Sequence, residues 1–129
     1  MTCRGIYNAA LKLIAENKED SVHDYEERAP YLIATFCAEH SEKDKALRSF
    51  IGAPASTAEN SLFIGLDDVF PLLDKFSASA ALYLASMLVI DDFPNLSDNL
   101  FDKYCYRISR IYDNITGICE TTKDKYFGG

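Results

Sequence analysis

The sequence predicts an all-α fold: a single-domain bundle of about four helices over residues 1–129, with a long second helix and a central buried helix at about 74–90. Three observations predict it. Apolar residues recur at helical spacing in four separate stretches. One of these, inside "LDDVFPLLDKFSASAALYLASMLVIDD" at 66–92, is apolar on nearly every side, the mark of a helix that others enclose. And 129 residues, 48% hydrophobic and 26% charged, suffice for one core, with nothing that looks like a second domain or an internal repeat.

The first helix is predicted over 3–16, where Ile6, Ala10, Leu13 and Ile14 share a face that Tyr7 and Leu11 broaden. A polar run, "ENKEDSVHD", follows as a loop. Asp24 is placed to cap the second helix, with Glu26 and Glu27 in a first turn whose positive dipole end favours acids. Pro30 then either kinks the helix or marks its true start near Ala29. The buried stripe is Ala29, Leu32, Ile33, Phe36 and Cys37. "EHSEKDK" at 39–45 reads as an exposed middle, and Leu47, Phe50 and Ile51 resume the apolar period before Gly52. Ser41 capping a second piece is the alternative.

The stretch 52–61 is the clearest loop, small and polar around Pro54, and is expected to be flexible. "SLFIGLDDVF" at 61–70 is either a short strand or an extended segment packed on helices. Between Asp74 and Asp91 lie sixteen residues, fewer than the ~20 that span a bilayer, and they include Lys75 and three serines. A membrane span is rejected. Leu73, Phe76, Ala80, Tyr83, Leu84, Met87 and Leu88 form a wide apolar face, while Ala78, Ala81 and Ala85 keep the other side slim. Pro94 turns the chain, and Asn95 or Ser97 caps the last helix. There Leu100, Tyr104, Ile108, Ile111, Ile115 and Ile118 repeat at spacings of four, four, three, four and three, the strongest period in the chain. The tail 119–129 lacks a period and is expected to be flexible.

The net charge of −7 disfavours a nucleic-acid binder, which needs a concentrated basic surface to displace counterions from phosphates. It does not disfavour a protein ring through which DNA passes. Cys3, Cys37, Cys105 and Cys119 are scattered, without a C-x-x-C pair or a neighbouring histidine, so free thiols are expected in place of a zinc site or disulfides. Three of the four fall on apolar helix faces.

Catalytic chemistry finds little support. Asp67, Asp68, Asp74, Asp91, Asp92 and Asp98 could converge on a cation; read blandly, Asp74 caps a helix and Asp91 and Asp92 are solvated. All-α nucleotide pyrophosphohydrolases carry carboxylates at i and i+3 on two facing helices. Glu39 and Glu42 have that spacing, and Asp98 and Asp102 approximate it at i and i+4. His23-Asp24 has the form of the pair in HD-type phosphohydrolases, but only His40 remains to complete a ligand set. No phosphate loop or nucleophile elbow occurs. On the last helix, Lys103, Arg107 and Arg110 form a basic stripe at i, i+4 and i+7, with Tyr106 off the isoleucine seam beside them.

Taken in order, "RGIYNAALKLIAE", "YEERAPYLIATFCAEHSEKDKALR", "IGLDDVFPLLDKFSASAALYLASMLVIDD" and "NLFDKYCYRISRIYDNI" resemble the head–tail connector (adaptor, or head-completion) proteins of tailed bacteriophages. The resemblance covers roughly 3–116; Pro30 and the extension after Ile118 depart from it. It implies a structural protein with no active site and no cofactor, at work in the virion and the host bacterial cytoplasm. Such a protein assembles as a ring between portal and tail or head-completion proteins, with DNA only passing through and no membrane involved. On this resemblance the interface residues are Lys103, Tyr106, Arg107, Arg110, Tyr126 and Phe127, and the 52–61 loop and 119–129 tail order on docking. The alternatives are the metal-dependent pyrophosphohydrolase using Glu39, Glu42, Asp98 and Asp102, or a small helical regulator that binds one protein partner.

Overall fold

The computed structural model describes the backbone at residues 1–14, 22–56 and 61–127, and side chains at 1–14, 24–56 and 61–114. Among these the fold is all-α: α1 (Cys3–Leu13), α2 (Val22–Ile51), α3 (Ser77–Leu88) and α4 (Pro94–Phe127). A 3-10 turn, Asp74–Phe76, leads into α3. No described helix is long and apolar enough to cross a membrane.

α3 is the centre. All of its residues from Ser79 to Ser86 are buried, and it packs against each of the other three helices. Leu84 and Leu88 fill the interior, while Ala80, Ala81 and Ala85 let neighbouring backbones approach closely. Its last carbonyls would be orphans at a buried helix end. The Arg28 guanidinium on α2 serves two of them, donating to Met87 O at 3.0 Å and to Leu88 O at 3.4 Å. Ser86 and Ser97 hydroxyls donate to each other's backbone carbonyls at 3.0 and 2.9 Å, stitching α3 to α4 inside the core.

The 61–70 segment forms no strand: it turns at Gly65–Asp68, where Asp68 N–H donates to Gly65 O, and makes one isolated antiparallel bridge, Thr2 to Val69. It caps α1: Cys3 N–H donates to Asp68 O at 2.9 Å and Arg4 N–H to Leu66 O at 2.7 Å. That is why α1 starts without a side-chain cap at Thr2. Further along, Asp44 accepts from the Leu73 amide at 2.8 Å and from Arg48 at 2.8 Å. Arg48 also donates to Pro54 O and Pro71 O. This Asp44–Arg48 pair fastens the chain on both sides of the loop to α2.

Several expectations are corrected. α2 begins at Val22, so Asp24 sits inside the first turn and does not cap it. α2 is nonetheless the one long helix expected: it does not start near Ala29, since Pro30 lies within it, and the alternative break at Ser41 does not occur, the Ser41 hydroxyl bonding back to Ala38 O. The 39–45 stretch is not an exposed middle: His40 and Asp44 are 3% and 2% exposed, continuing the Phe36–Cys37 stripe with polar residues that have partners. Phe50, Ile51 and Leu13 face outward. α2 does stop at Gly52, whose positive φ lets Ala53 N–H reach back to Arg48 O. Asp74 is exposed and opens the 3-10 turn without a side-chain cap. α4 starts at Pro94, a favoured first helical position because the missing N–H has no helical partner there, while Ser97 is buried. Helical backbone runs to Phe127, past the last apolar repeat, through residues of good helix propensity such as Glu120, Lys123 and Lys125. Cys3 and Cys37 are buried and Cys105 is exposed; Cys119 lies outside the described side chains.

If α3 is the load around which the body closes, Leu84→Ala will destabilise the protein by about 2–5 kcal/mol through lost burial and a residual cavity. Leu62→Ala, at a position 88% exposed, will change stability by less than about 0.5 kcal/mol. Urea denaturation followed by far-UV circular dichroism measures both.

Candidate functional site

Leu100, Tyr104 and Ile108 anchor the first half of α4 in the core, with Ile111 half-buried behind them. This turns the other side of the helix to solvent. Lys103, Tyr106, Arg107 and Arg110 are all exposed there, Tyr106 at 64%. Together with Asp102 and the edge of Leu82 from α3 they line one shallow groove. Arg110 Nη1 donates to the Tyr106 hydroxyl at 3.0 Å, and its guanidinium carbon lies 5.7 Å from the ring centroid. The ring thus holds one cation in place by a hydrogen bond and a cation–π contact. Neither Lys103 nor Arg107 makes an ion pair with a described residue. The helix brings together four of the six residues expected at an interface. Tyr126 and Phe127 lie outside the described side chains.

The carboxylates weighed for a metal are all exposed. Glu39 and Glu42 are exposed on α2, Asp98 and Asp102 on α4. Asp67 accepts from Arg4, and Asp68 from the Gly65 amide. Among the described residues no group of three or more His, Cys, Asp or Glu is placed to hold one ion. The thiols of Cys3 and Cys37 are pushed up by burial to about 11 and about 12, so they stay protonated and unreactive.

A cluster that sequence reasoning missed joins α2 to α4. His40 Nε2 lies 2.7 Å from the Tyr104 hydroxyl, and Nδ1 bonds the Tyr112 hydroxyl. A neutral imidazole donates from one nitrogen and accepts at the other, so two hydroxyls satisfy it fully. Phe36 and Phe76 pack against the ring, with centroids at 4.5 and 6.3 Å. Burial lowers the His40 pKa, with Glu39 opposing it, and burial raises Tyr104 and Tyr112. The available signal was the register: 33, 36, 37, 40, 44 and 47 form one continuous helical stripe.

Compared with known proteins, the chain matches no family model, no curated protein and no solved structure.

Because folded His40 binds a proton less readily than its ordinary value of 6.5, the unfolded chain protonates first as pH falls. The stability it contributes is complete above that value and shrinks below it. It levels off once the pH passes the lowered folded value. His40→Gln will therefore be less stable at neutral pH but will lose less stability than wild type between about pH 7 and pH 5.5. Urea midpoints at each pH, with the His40 titration followed by NMR, give the comparison.

Proposed function

We propose that this chain is an assembly protein of the head–tail connector type, joining portal and tail in the virion, with its exposed α4 side as a contact surface. One observation carries the reading. In a protein of net charge −7, three cations about one helical turn apart surround an exposed, oriented tyrosine, and none of them makes an ion pair with a described residue. Exposed Tyr and Arg are the residue types enriched where proteins bind proteins. Cys3, Cys37 and His40 are buried and serve as packing or internal hydrogen bonding. A rigid body with two long helices and an outward contact strip on one of them suits a subunit that docks and does not react. Closing a ring requires heterologous contacts, for which this strip is one half.

Lys103→Glu/Arg107→Glu will keep its circular dichroism spectrum and melting temperature, since both positions are exposed. It will fail to restore joining in particles that lack the wild-type chain. Restoration at the wild-type level would refute the assigned surface; failure of the wild-type chain itself to support joining would refute the connector reading. Magnesium or manganese at millimolar concentration will leave the melting temperature unchanged. A rise would point to a native-state cation site and the pyrophosphohydrolase alternative.

A further inference from the structure

The order of charges along the outward side of α4 has a symmetry of its own. Asp102, Tyr106 and Arg110 follow one another at i, i+4 and i+8, so they stand in one row along the helix: an acid, an aromatic ring and a base. All three are exposed and line the same groove. A row of this kind is complementary to itself when reversed. Two α4 helices laid antiparallel with the Tyr106 residues facing each other bring each Asp102 opposite the other copy's Arg110, twice over. Within one chain this pair cannot form, because eight residues separate the two by about 12 Å along the axis. Among the described residues Asp102 has no ion pair, and Arg110 contacts the Tyr106 hydroxyl and ring without an ion pair. The charges are thus available for a second molecule.

We propose that the unassembled chain forms a two-fold symmetric dimer through α4, with Tyr106 on the axis and two intermolecular Asp102–Arg110 pairs around it. The occupant of the groove is a second copy, and the argument for it is charge complementarity. A long polyanion fits less well, since Asp102 within the groove and Asp113 one turn past Arg110 would repel it. The Tyr106 rings supply apolar contact at the centre, where offset or edge-on aromatic pairs are favourable, and the carboxylate–guanidinium pairs fix direction and register. An isologous contact of this kind closes at two copies. The dimer is independent of the connector reading. Its consequence rests on that reading: the dimer covers Lys103, Tyr106, Arg107 and Arg110, so the strip becomes open to another protein only when the two copies separate.

Sedimentation equilibrium of the full chain at several concentrations tests the pairing. The expected result is a monomer–dimer equilibrium that weakens as salt is raised, because exposed charges are screened. Arg110→Asp sets like charges face to face, as does Asp102→Arg; each will weaken the dimer about tenfold or more. The double exchange Asp102→Arg/Arg110→Asp restores opposite charges across the axis and will recover the dimer. Circular dichroism checks that each variant is folded, and the salt series on wild type stands whatever the variants do. A wild-type chain that stays monomeric, a dimer indifferent to the single reversals, or a double exchange that fails to recover would each overturn the proposal. A monomeric wild type that still supports head–tail joining would sink the dimer and leave the connector reading standing. A dimer in a chain that supports no joining would do the reverse.

Discussion

The enclosure of α3 is the constraint from which the rest follows. Twelve residues, nine of them buried, form a helix that is neither amphipathic nor long, so it is stable only with neighbours on all sides. α1, α2 and α4 each supply one wall. Small side chains at Ala80, Ala81, Ala85 and Ser86 set how close those walls come, and the Ser86–Ser97 exchange of hydrogen bonds keeps buried polar atoms satisfied at the closest approach. Where α3 ends against α2, Arg28 takes up its terminal carbonyls. Ser86, Ser97 and Arg28 thus each act as a fastening between elements.

Two further fastenings set the position of the surface. The Asp44–Arg48 pair and the Leu73 amide hold the 71–73 stretch on α2 and so fix where α3 begins. Burying a charge pair is worthwhile only when its remaining hydrogen-bonding capacity is filled, and here Arg48 finds two backbone carbonyls as well. His40 does the same between α2 and α4 through Tyr104 and Tyr112. With Leu100, Tyr104 and Ile108 turned inward, helical geometry leaves Lys103, Tyr106 and Arg110 no place but outside.

Much of the fold was legible in the sequence, for physical reasons that differ by element. α3 could be read because a run apolar on all sides with alanines and serines has few stable settings other than an interior. The α4 seam could be read because a long helix half-sunk in a core repeats its apolar residues. The stripe of α2 was lost at His40 and Asp44, since polar residues look solvent-bound until their partners are known, and those partners are 64, 72 and 29 residues away in sequence. Leu13, Phe50 and Ile51 were misplaced because periodicity says which residues share a face, not where the covering element stops. The start of α1 at Cys3 was legible, but those of α2 and α4 were misplaced: α2 begins at Val22, ahead of Asp24, and α4 at Pro94, whose ring suits a first helical position, ahead of Asn95 and Ser97. Of the candidate surface, the basic stripe and Tyr106 were visible as spacing, whereas the place of Asp102 beside them needed the groove.

Native-state hydrogen exchange is the most direct measurement of the central claim. With α3 enclosed by the other helices, its amides from about Ala81 to Leu88 should exchange only through global unfolding. Their opening free energy should then equal the stability from denaturant melts and follow urea with the full slope. Amides of α3 that exchange through smaller openings, faster than those of the last turns of α2 at 45–51, would contradict it. α3 would then be a peripheral helix, and the outward side of α4 would lose the rigid body that positions it.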